Sequence, residues 1–316
     1  MKIAVLTSGG DAPGMNAAIR AVVRTAIHYG IEAYGVMDGY KGLVEGRIKR
    51  LERNDVSQIL NRGGTILGSS RLDDFYKIAI QKKAIANLKE LEIDVLVVIG
   101  GDGTYRGAIA LSKLDYPCIA LPGTIDNDIP STEYTIGFFT ALDTAIDAID
   151  KLRDTSFSHQ RCTVVEVMGR NCGDLAVYAG IACGAEIVIT KDTGYSWEMV
   201  YDEALHAKQL GKRHLVIIVA EHIIDVQKLA HDIETHSPYE ARATVLGYIQ
   251  RGGNPSTYDR ILASKMGTYA VELCRQGIVN QAVFTKSLDL GHCSLQEALA
   301  VEQKPSDLYE YLPKLN

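Results

Sequence analysis

Short apolar runs alternate with longer amphipathic segments along the chain. The short runs have the length of buried strands, whereas the longer segments repeat their apolar residues every three to four positions, as helices do. Strands are predicted at Ile3–Leu6, Ile31–Met37, Val95–Ile99, Pro117–Leu121, Cys162–Met168, Glu186–Thr190, Leu215–Ala220 and Thr244–Ile249. Helices are predicted at Ala17–His28, Asn54–Leu60, Lys77–Leu91, Tyr105–Leu114, Ala141–Arg153, Asp174–Cys183, Glu198–Gln209, Asp225–Glu234, Tyr258–Arg275 and Leu295–Glu302. This alternation predicts an α/β fold with a mainly parallel, doubly wound sheet.

The apolar run Val95–Ile99 leads directly into the glycine-rich stretch Gly100–Thr104. A continuous apolar run is typical of a parallel strand that is covered on both faces. Glycines let backbone N–H groups approach a ligand closely, and the N-terminus of the following helix would point at the same place, so the loop favours phosphate. Asp102 would repel a phosphate unless a cation lay between them. The loop therefore predicts a phosphate and a metal together, most simply Mg²⁺ with a nucleotide.

Two other loops are also rich in glycine. Thr7–Asn16 follows the first strand, and Arg62–Arg71 combines glycines and hydroxyl groups with an arginine at each end. Arg71 fits either a phosphate contact or a solvated loop residue. On the first predicted helix, Arg20 and Arg24 are four residues apart and share a face, which fits either a solvated surface or a clamp for an anion.

An acidic loop, Pro122–Asp128, follows the strand next after the glycine-rich one. It lies at a carboxyl end, where open α/β sheets bind ligands. In an extended segment Asp126 and Asp128 would point to the same side, and neighbouring carboxylates raise each other's pKa, which helps one of them to act as a base. The alternative is an Asx-rich turn.

Composition narrows the class of protein further. The chain has 316 residues, of which 47% are hydrophobic and 23% charged, and its formal net charge is −6. A general basic surface for nucleic acid is therefore not expected. The six cysteines are scattered and form no C-x-x-C pair, which fits reduced thiols in a cytoplasmic protein. We expect no signal peptide and no membrane span, because every apolar run is too short.

The motifs indicate the chemistry of phosphoryl transfer. The glycine loop is neither a Walker A motif nor a dinucleotide fingerprint, because Gly101-Asp102-Gly103 is followed by Gly107, one residue too late. What remains is a metal–nucleotide loop, a carboxylate loop that could hold a base, and scattered arginines. The residues alone therefore predict a kinase that acts on a small hydroxylated molecule.

The chain resembles the bacterial ATP-dependent 6-phosphofructokinase family over essentially its whole length. The matching stretches are Thr7–Arg20, Arg62–Leu67, Ile99–Thr104, Pro122–Asp128, Val167–Arg170, Val219–Glu221 and Gln250–Gly253. The resemblance implies transfer of the ATP γ-phosphate to the 1-hydroxyl group of fructose 6-phosphate, the committed step of glycolysis. It also implies two doubly wound lobes, one that binds ATP (residues 1–137 plus 250–300) and one that binds sugar phosphate and effectors (138–249 plus 301–316).

The resemblance assigns site residues one by one. The catalytic residues would be Gly10, Thr124, Asp126, Asp128 and Arg170. Asp126 would be the general base, Arg170 would help to neutralise the transition state, and Asp102 would hold Mg²⁺. ATP would contact Gly10, Arg71, Leu72, Gly101, Asp102, Gly103 and Thr104. The sugar phosphate would contact Thr124, Ile125, Asp126, Arg161, Met168, Gly169, Arg170, Glu221, Arg242, Tyr248, Ile249, Gln250 and Arg251.

Assembly and regulation are implied as well. In this family Arg161 and Arg242 reach into the neighbouring subunit's site, so a homotetramer is expected. An effector site for ADP or phosphoenolpyruvate would comprise Arg20, Arg24, Arg153, Gly184, Ala185, Glu186, Lys212, Arg213 and His214. Three positions depart from the family pattern. Tyr248 replaces a common histidine, His222 replaces a common glycine, and Leu210 replaces an arginine, which predicts weaker effector binding.

Two alternatives stay open beside the ATP-dependent kinase. One is a pyrophosphate-dependent enzyme, and the other is a catalytically silent, nucleotide-sensing regulatory subunit. Relatives that use pyrophosphate typically carry a bulky acidic residue at the position of Gly103 and lysine at that of Gly123. Both positions are glycine here, which leaves room for the α-phosphate of ATP and favours ATP as the donor.

Overall fold

Two α/β units make up the computed structural model, which describes residues 1–287, 289–302 and 305–315. One unit comprises Met1–Thr140 and Arg251–Gln303, and the other comprises Ala141–Gln250 and Lys304–Asn316. The strands are β1 (Lys2–Thr7), β2 (Glu32–Val36), β3 (Ile48–Leu51), β4 (Val95–Gly100), β5 (Cys118–Pro122), β6 (Arg161–Val167), β7 (Ile187–Ile189), β8 (Leu215–Ala220), β9 (Glu240–Val245), β10 (Gln281–Lys286) and β11 (Asp289–Ser294). The helices are α1 (Met15–His28), α2 (Gly39–Glu45), α3 (Ile78–Glu90), α4 (Asp102–Ser112), α5 (Phe138–His159), α6 (Asp174–Cys183), α7 (Trp197–Gln209), α8 (Val226–His236), α9 (Thr257–Arg275), α10 (Leu295–Ala300) and α11 (Leu312–Leu315).

The sheet of the first unit has the strand order β11-β10-β5-β4-β1-β2-β3. Its neighbours pair in parallel, except that β3 and β11 run antiparallel at the two edges. After β3 the chain returns to the other side of β1 to form β4, so the strand order reverses between β1 and β4. Ligands of open α/β sheets bind outside the carboxyl ends of the strands at such a reversal, so this is where a site is expected.

Both faces of this sheet are covered by helices. Alternate strand residues such as Leu6, Leu96 and Val98 pack into a cluster that also takes in side chains of α2, α3, α4 and α10. The intervening residues, among them Val5 and Val97, are equally buried, and α1 and α9 pack together on that face. The continuous apolar runs in the sequence therefore reflect burial from two sides.

The second unit is built on a parallel sheet with the strand order β7-β8-β6-β9. Side chains of α7 and α8 cover one face, where Val164, Ile217 and Val219 form the core. Helix α6 contacts β7 and β8. The predicted fold class of doubly wound lobes with mainly parallel sheets is confirmed.

Several sequence-based boundaries were wrong. The predicted helix Asn54–Leu60 is a series of turns, and Gln58 within it has a left-handed φ of 55°, which a helix does not tolerate. The predicted strand Thr244–Ile249 ends at Val245, because Gly247 turns the backbone (φ 56°) into a 3₁₀ helix over Gly247–Arg251. The elements α2, β3, β10 and β11 were not predicted.

All six cysteines belong to the described part of the chain and are free thiols, five of them buried. Among the helices of residues 1–287, 289–302 and 305–315, none combines the length and the apolar character required to cross a membrane.

Candidate active site

Two glycine loops meet at the reversal point of the first sheet. The Ser8 N–H group donates to the Ile99 carbonyl at 3.1 Å, and the Thr104 hydroxyl group donates to the Ser8 carbonyl at 3.0 Å. Gly100 lies between them. A Cβ atom there would come within 2.2 Å of Thr104 Oγ1 and 2.4 Å of the Ser8 oxygen, so only glycine fits. The loops after β1 and β4 therefore form one rigid wall.

Helix α4 begins at Asp102, three residues before its predicted start. Gly101 is the N-cap residue, and its carbonyl accepts hydrogen bonds from Thr104 and Tyr105 at 3.0 and 3.1 Å. Asp102 and Gly103 therefore belong to the first turn, where the positive end of the helix dipole favours an anion. The Gly103 N–H group donates to Asp102 Oδ1 at 2.7 Å, which orients this carboxylate. A Cβ atom on Gly103 would have no neighbour within 4 Å, so the space beside the helix end is open.

A cavity of about 410 Å³ opens beside these loops. It is lined by Gly9, Gly10, Asp11, Thr65, Ser69, Arg71 and Arg251. The guanidinium group of Arg251 lies against Gly10, since a Cβ atom on that glycine would be 3.1 Å from Arg251 Nη1. The structure thus brings Gly10 and Arg71, expected to bind ATP, together with Arg251, expected to bind the sugar phosphate. Two guanidinium groups and glycine backbone around one cavity suit phosphate.

The acidic loop adjoins the glycine loop of β4. Strands β4 and β5 are neighbours in register at Gly100 and Pro122, and Gly123 N–H donates to the Gly100 carbonyl at 3.0 Å. A Cβ atom on Gly123 would lie 2.9 Å from Ile99 Cγ2, so a side chain there would require Ile99 to shift. The acidic and glycine-rich segments therefore leave the sheet side by side.

Hydrogen bonds hold the acidic loop in one conformation. Asn127, with a φ of 52°, accepts a bond from Thr135 N–H (3.0 Å) and donates to the Glu133 carbonyl (3.1 Å). The Thr135 hydroxyl group donates to the Thr124 carbonyl at 2.6 Å, and the Asp126 N–H group donates to Thr124 Oγ1 at 3.2 Å. Asp126 is 9% exposed, so its carboxylate is held in a largely dry position.

In the second unit, a cluster forms at the carboxyl ends of β6 and β8. The Glu221 carboxylate accepts hydrogen bonds from Gly169 N–H (3.3 Å) and Arg170 N–H (2.7 Å). Both residues have left-handed φ angles, of 138° and 55°. The fully buried Gln250 accepts from Met168 N–H at 3.3 Å. Five residues expected to bind the sugar phosphate are thereby gathered in one place.

Two arginines on neighbouring strands of the second unit share one carboxylate. Arg161 binds Glu240 through Nε and Nη2 at 2.9 and 3.0 Å, and Arg242 binds both Glu240 and, at 3.0 Å, Glu234. The hydrogen bonds from Arg161 hold the pKa of Glu240 below its usual range. Tyr248 and Ile249, also expected to bind the sugar phosphate, are 80% and 58% exposed.

The expected effector residues fall into both units. In the first, burial lowers the pKa of Arg24, and the positive charges of Arg20 and Arg53 lower it further. In the second, Glu186 pairs with Lys212 at 3.4 Å. Arg213 stacks over the Phe157 ring at 4.8 Å. Burial lowers the pKa of His214, which forms an edge contact with the same ring.

Sequence reasoning missed three residues of these clusters. Arg53 joins Arg20 and Arg24, Glu240 holds Arg161 and Arg242, and Asn16 holds the segment that carries Arg71. Arg53 had a signal, because it follows the basic stretch Arg47–Arg50. The roles of Glu240 and Asn16 depend on pairing between distant segments and carry no local signal.

The carboxylate of Asp102 fits a magnesium ion bound mainly by phosphate and water. The Asp102 side chain is 24% exposed at the start of α4, with Arg106 3.1 Å away. The described residues contain no group of three or more acidic, histidine or cysteine side chains that could hold a metal by themselves. Mg²⁺ in nucleotide sites usually takes only one or two protein carboxylates, so a single aspartate is a sufficient donor set.

The fold and these loops define an α/β protein with a cavity suited to phosphate and, on the loop after β5, a largely buried carboxylate. A family model described as phosphofructokinase matches residues 2–274. The chain belongs to the phosphofructokinase family. A relative from Aliivibrio salmonicida (strain LFI1238), named ATP-dependent 6-phosphofructokinase, is 55% identical over 310 residues, which is 98% of this chain and 97% of the relative.

Solved structures agree on the fold. A structure of phosphofructokinase from Saccharomyces cerevisiae superposes with a TM-score of 0.90 at 32% identity; the match covers 99% of this chain and 49% of the yeast chain. A pyrophosphate-dependent phosphofructokinase from Marinobacter aquaeolei gives a TM-score of 0.87 at 21% identity, covering 100% of this chain and 91% of that one. At that identity the second match supports the fold alone.

Proposed function

We propose that the chain is an ATP-dependent kinase that transfers the γ-phosphate to the 1-hydroxyl group of fructose 6-phosphate, forming fructose 1,6-bisphosphate and ADP. The observation that carries the proposal is the junction of the glycine and acidic loops, joined by the hydrogen bond from Gly123 to Gly100. The bond supports the proposal, because it joins the segment proposed to bind phosphate to the loop that carries the candidate base. The name of the Aliivibrio relative, at 55% identity over nearly the whole chain, supports the choice of donor and acceptor.

The donor would bind at the first unit, consistent with an ATP-binding lobe. Its contacts would be Gly10, Arg71, Leu72 and Gly101–Thr104. Asp102 would hold Mg²⁺, which when bound supplies positive charge to the phosphate oxygens. Backbone N–H groups at the start of α4 and the guanidinium group of Arg71 would bind and orient the phosphates in the cavity.

Asp126 would accept the proton of the attacking hydroxyl group. Its burial and the bond between its own N–H and Thr124 hold the carboxylate in place. A positioned base contributes roughly 10²–10⁴-fold to the rate of such a reaction. Asp128 and Thr124 would order the loop, Gly10 would contact the transferred group, and Arg170 would offset negative charge in the transition state.

The acceptor contacts proposed in the first unit are Thr124, Ile125, Asp126 and Arg251, and the other proposed contacts belong to the second unit. Backbone and side chains of Met168, Gly169, Glu221 and Gln250 are gathered there by the bonds already described. Tyr248 and Ile249 are exposed and accessible to a ligand. Arg161 and Arg242 would serve the site of a neighbouring subunit, which makes the proposed assembly a homotetramer. Glu240 would hold both arginines until a phosphate replaces it.

An effector site for ADP or phosphoenolpyruvate is proposed at Arg20, Arg24, Arg153, Gly184–Glu186 and Lys212–His214. The concentration of positive charge at Arg20, Arg24 and Arg53 supports binding of an anion there. Leu210, which is 63% exposed at the end of α7, offers no charge, so control by effectors would be weak.

The test is turnover by the purified chain with Mg-ATP and fructose 6-phosphate. The proposal expects ADP and fructose 1,6-bisphosphate in equal amounts, and no ADP release when the sugar phosphate is omitted. ATP binding without turnover of any sugar phosphate would instead favour a silent regulatory subunit.

A further inference from the structure

Asn16, the second residue of α1, has its carboxamide turned towards the segment Arg62–Arg71. Its Nδ2 atom donates to the carbonyl groups of Arg62 (3.0 Å) and Gly63 (3.2 Å), and its Oδ1 atom accepts from Ile66 N–H at 2.7 Å. The side chain is 1% exposed. Both ends of the amide are thus matched to backbone groups, which a carboxylate or an apolar side chain could not do.

The segment that Asn16 holds has no regular secondary structure of its own. Other ties run to Asp38, whose N–H group donates to the Leu67 carbonyl at 2.7 Å, to the end of β1 and to the loop after it. Thr7 Oγ1 bonds to Thr65 Oγ1 (2.8 Å) and to the Gly68 carbonyl (2.9 Å), and the Ser69 hydroxyl group donates to the Gly9 carbonyl. Asn16 supplies the bonds at the beginning of the segment, where neither Thr7 nor Ser69 reaches.

The same segment forms one wall of the cavity of about 410 Å³. Thr65, Ser69 and Arg71 line it, whereas Asn16 does not. At its start, Gly63 packs so closely on Gly253 that a Cβ atom would lie 2.3 Å from the Gly253 carbonyl oxygen. A small displacement of residues 62–66 would therefore shift the three lining side chains.

We propose that Asn16 is a positioning residue for the donor nucleotide. It touches no ligand itself, and it acts by fixing the wall that carries Thr65, Ser69 and Arg71. The proposal rests on the proposed function in taking ATP as the molecule that occupies the cavity. Replacing Nδ2 by an oxygen in Asn16→Asp would set a negative charge against two carbonyl oxygens and release the segment.

Asn87→Asp is a matched control. Asn87 on α3 makes the same kind of bonds, from Nδ2 to the carbonyl groups of Leu43 (2.8 Å) and Val44 (3.1 Å) at the end of α2, away from the residues that line the cavity. A purely structural asparagine would lose thermal stability without a specific change in ATP binding. The two variants therefore separate positioning from general stabilisation.

The first measurement is steady-state kinetics on the full chain. For Asn16→Asp we expect the KM for ATP to rise roughly 10–100-fold, because a misplaced wall costs binding and orientation, while the KM for fructose 6-phosphate changes less than about 3-fold. For Asn87→Asp both constants should stay within about 2-fold of wild type. An ATP KM for Asn16→Asp that matches that of Asn87→Asp would overturn the proposal.

The second measurement does not need the proposed activity. Limited trypsin digestion of the folded chain, followed by mass spectrometry, reports cleavage after Arg62 and Arg71. We expect Asn16→Asp, and the milder Asn16→Ala, to be cut there several times faster than wild type and Asn87→Asp. Wild-type chain without ATP turnover would contradict the proposed function alone, and unchanged cleavage at Arg62 and Arg71 would then still overturn the role of Asn16.

Discussion

The hydroxyl group of Thr104 donates a hydrogen bond of 3.0 Å to the backbone carbonyl of Ser8. Thr104 lies in the first turn of α4 and Ser8 follows β1, so the bond joins the two loops on either side of the point where the strand order reverses. Both groups are buried. This wall, which we propose to bind phosphate, is therefore formed by two distant segments and not by one motif.

Removing this bond should weaken ATP binding. Thr104→Val keeps the volume of the side chain but leaves the Ser8 carbonyl unsatisfied, at a cost of about 1–2 kcal/mol, equivalent to roughly a 5–30-fold increase in the KM for ATP. The matched control is Thr25→Val, which loses a bond of 3.2 Å between α1 and Thr268 of α9. Equal ATP constants for the two variants would show that the Thr104 bond does not shape the site.

Asp126→Ala should abolish most of the turnover. Loss of a general base lowers kcat by at least about 10²-fold, whereas binding of fructose 6-phosphate should change little. The exposed Asp147, paired with Lys151 on α5, gives the control variant Asp147→Ala, which should keep wild-type kcat. Near-normal kcat in Asp126→Ala would remove Asp126 from the role of base.

Arg242→Ala should weaken the binding of fructose 6-phosphate by about 1.5–3 kcal/mol, the range of a charge-assisted contact. Arg50→Ala is a close control, because Arg50 is similarly exposed (58% against 54%) and pairs with Glu32 and Glu52 on an edge strand. The KM for fructose 6-phosphate, measured for each variant, tests whether Arg242 contributes to binding of this substrate. Unchanged KM in Arg242→Ala would mean that this arginine serves only its pairs with Glu234 and Glu240.

Effector control should be weak in the wild-type chain and stronger in Leu210→Arg. Leu210 is exposed at the end of α7, so arginine can be accommodated without disturbing the core and would add positive charge beside Lys212 and Arg213. Inhibition by phosphoenolpyruvate, and its relief by ADP, is the quantity to titrate in both proteins. Strong inhibition of the wild-type chain would contradict the expectation that Leu210 weakens effector binding.

Prediction from sequence was most accurate for elements whose apolar pattern and end signal were both clear. The boundaries of α6 and β8 were predicted to the residue, because continuous burial and a glycine after Cys183 mark them clearly. Prediction failed at Thr244–Ile249, where an apolar stretch looked like a strand. The edge strand β9 pairs on one side only, and Gly247 ends it early, which leaves Tyr248 and Ile249 exposed.

Sequence motifs predicted the candidate site residues, but they did not predict the residues that hold those site residues in place. Asp102, Asp126 and Arg71 stand out because carboxylates or arginines among glycines have few structural uses. Asn16 and Glu240 gain their roles from segments 46 to 79 residues away, a pairing that no local pattern encodes. Gly123 showed a further limit, because a Cβ atom there would lie 2.9 Å from Ile99 Cγ2, so this glycine reflects local packing as well as the choice of donor.

The choice of phosphoryl donor is the most direct test of the proposed ATP-dependent kinase. Initial rates of fructose 6-phosphate phosphorylation are measured with Mg-ATP and with Mg-pyrophosphate at equal concentrations. The open space beside Gly103 predicts that ATP supports turnover at least about 100-fold faster than pyrophosphate. Turnover with pyrophosphate and none with ATP would contradict the assignment of ATP as the phosphoryl donor.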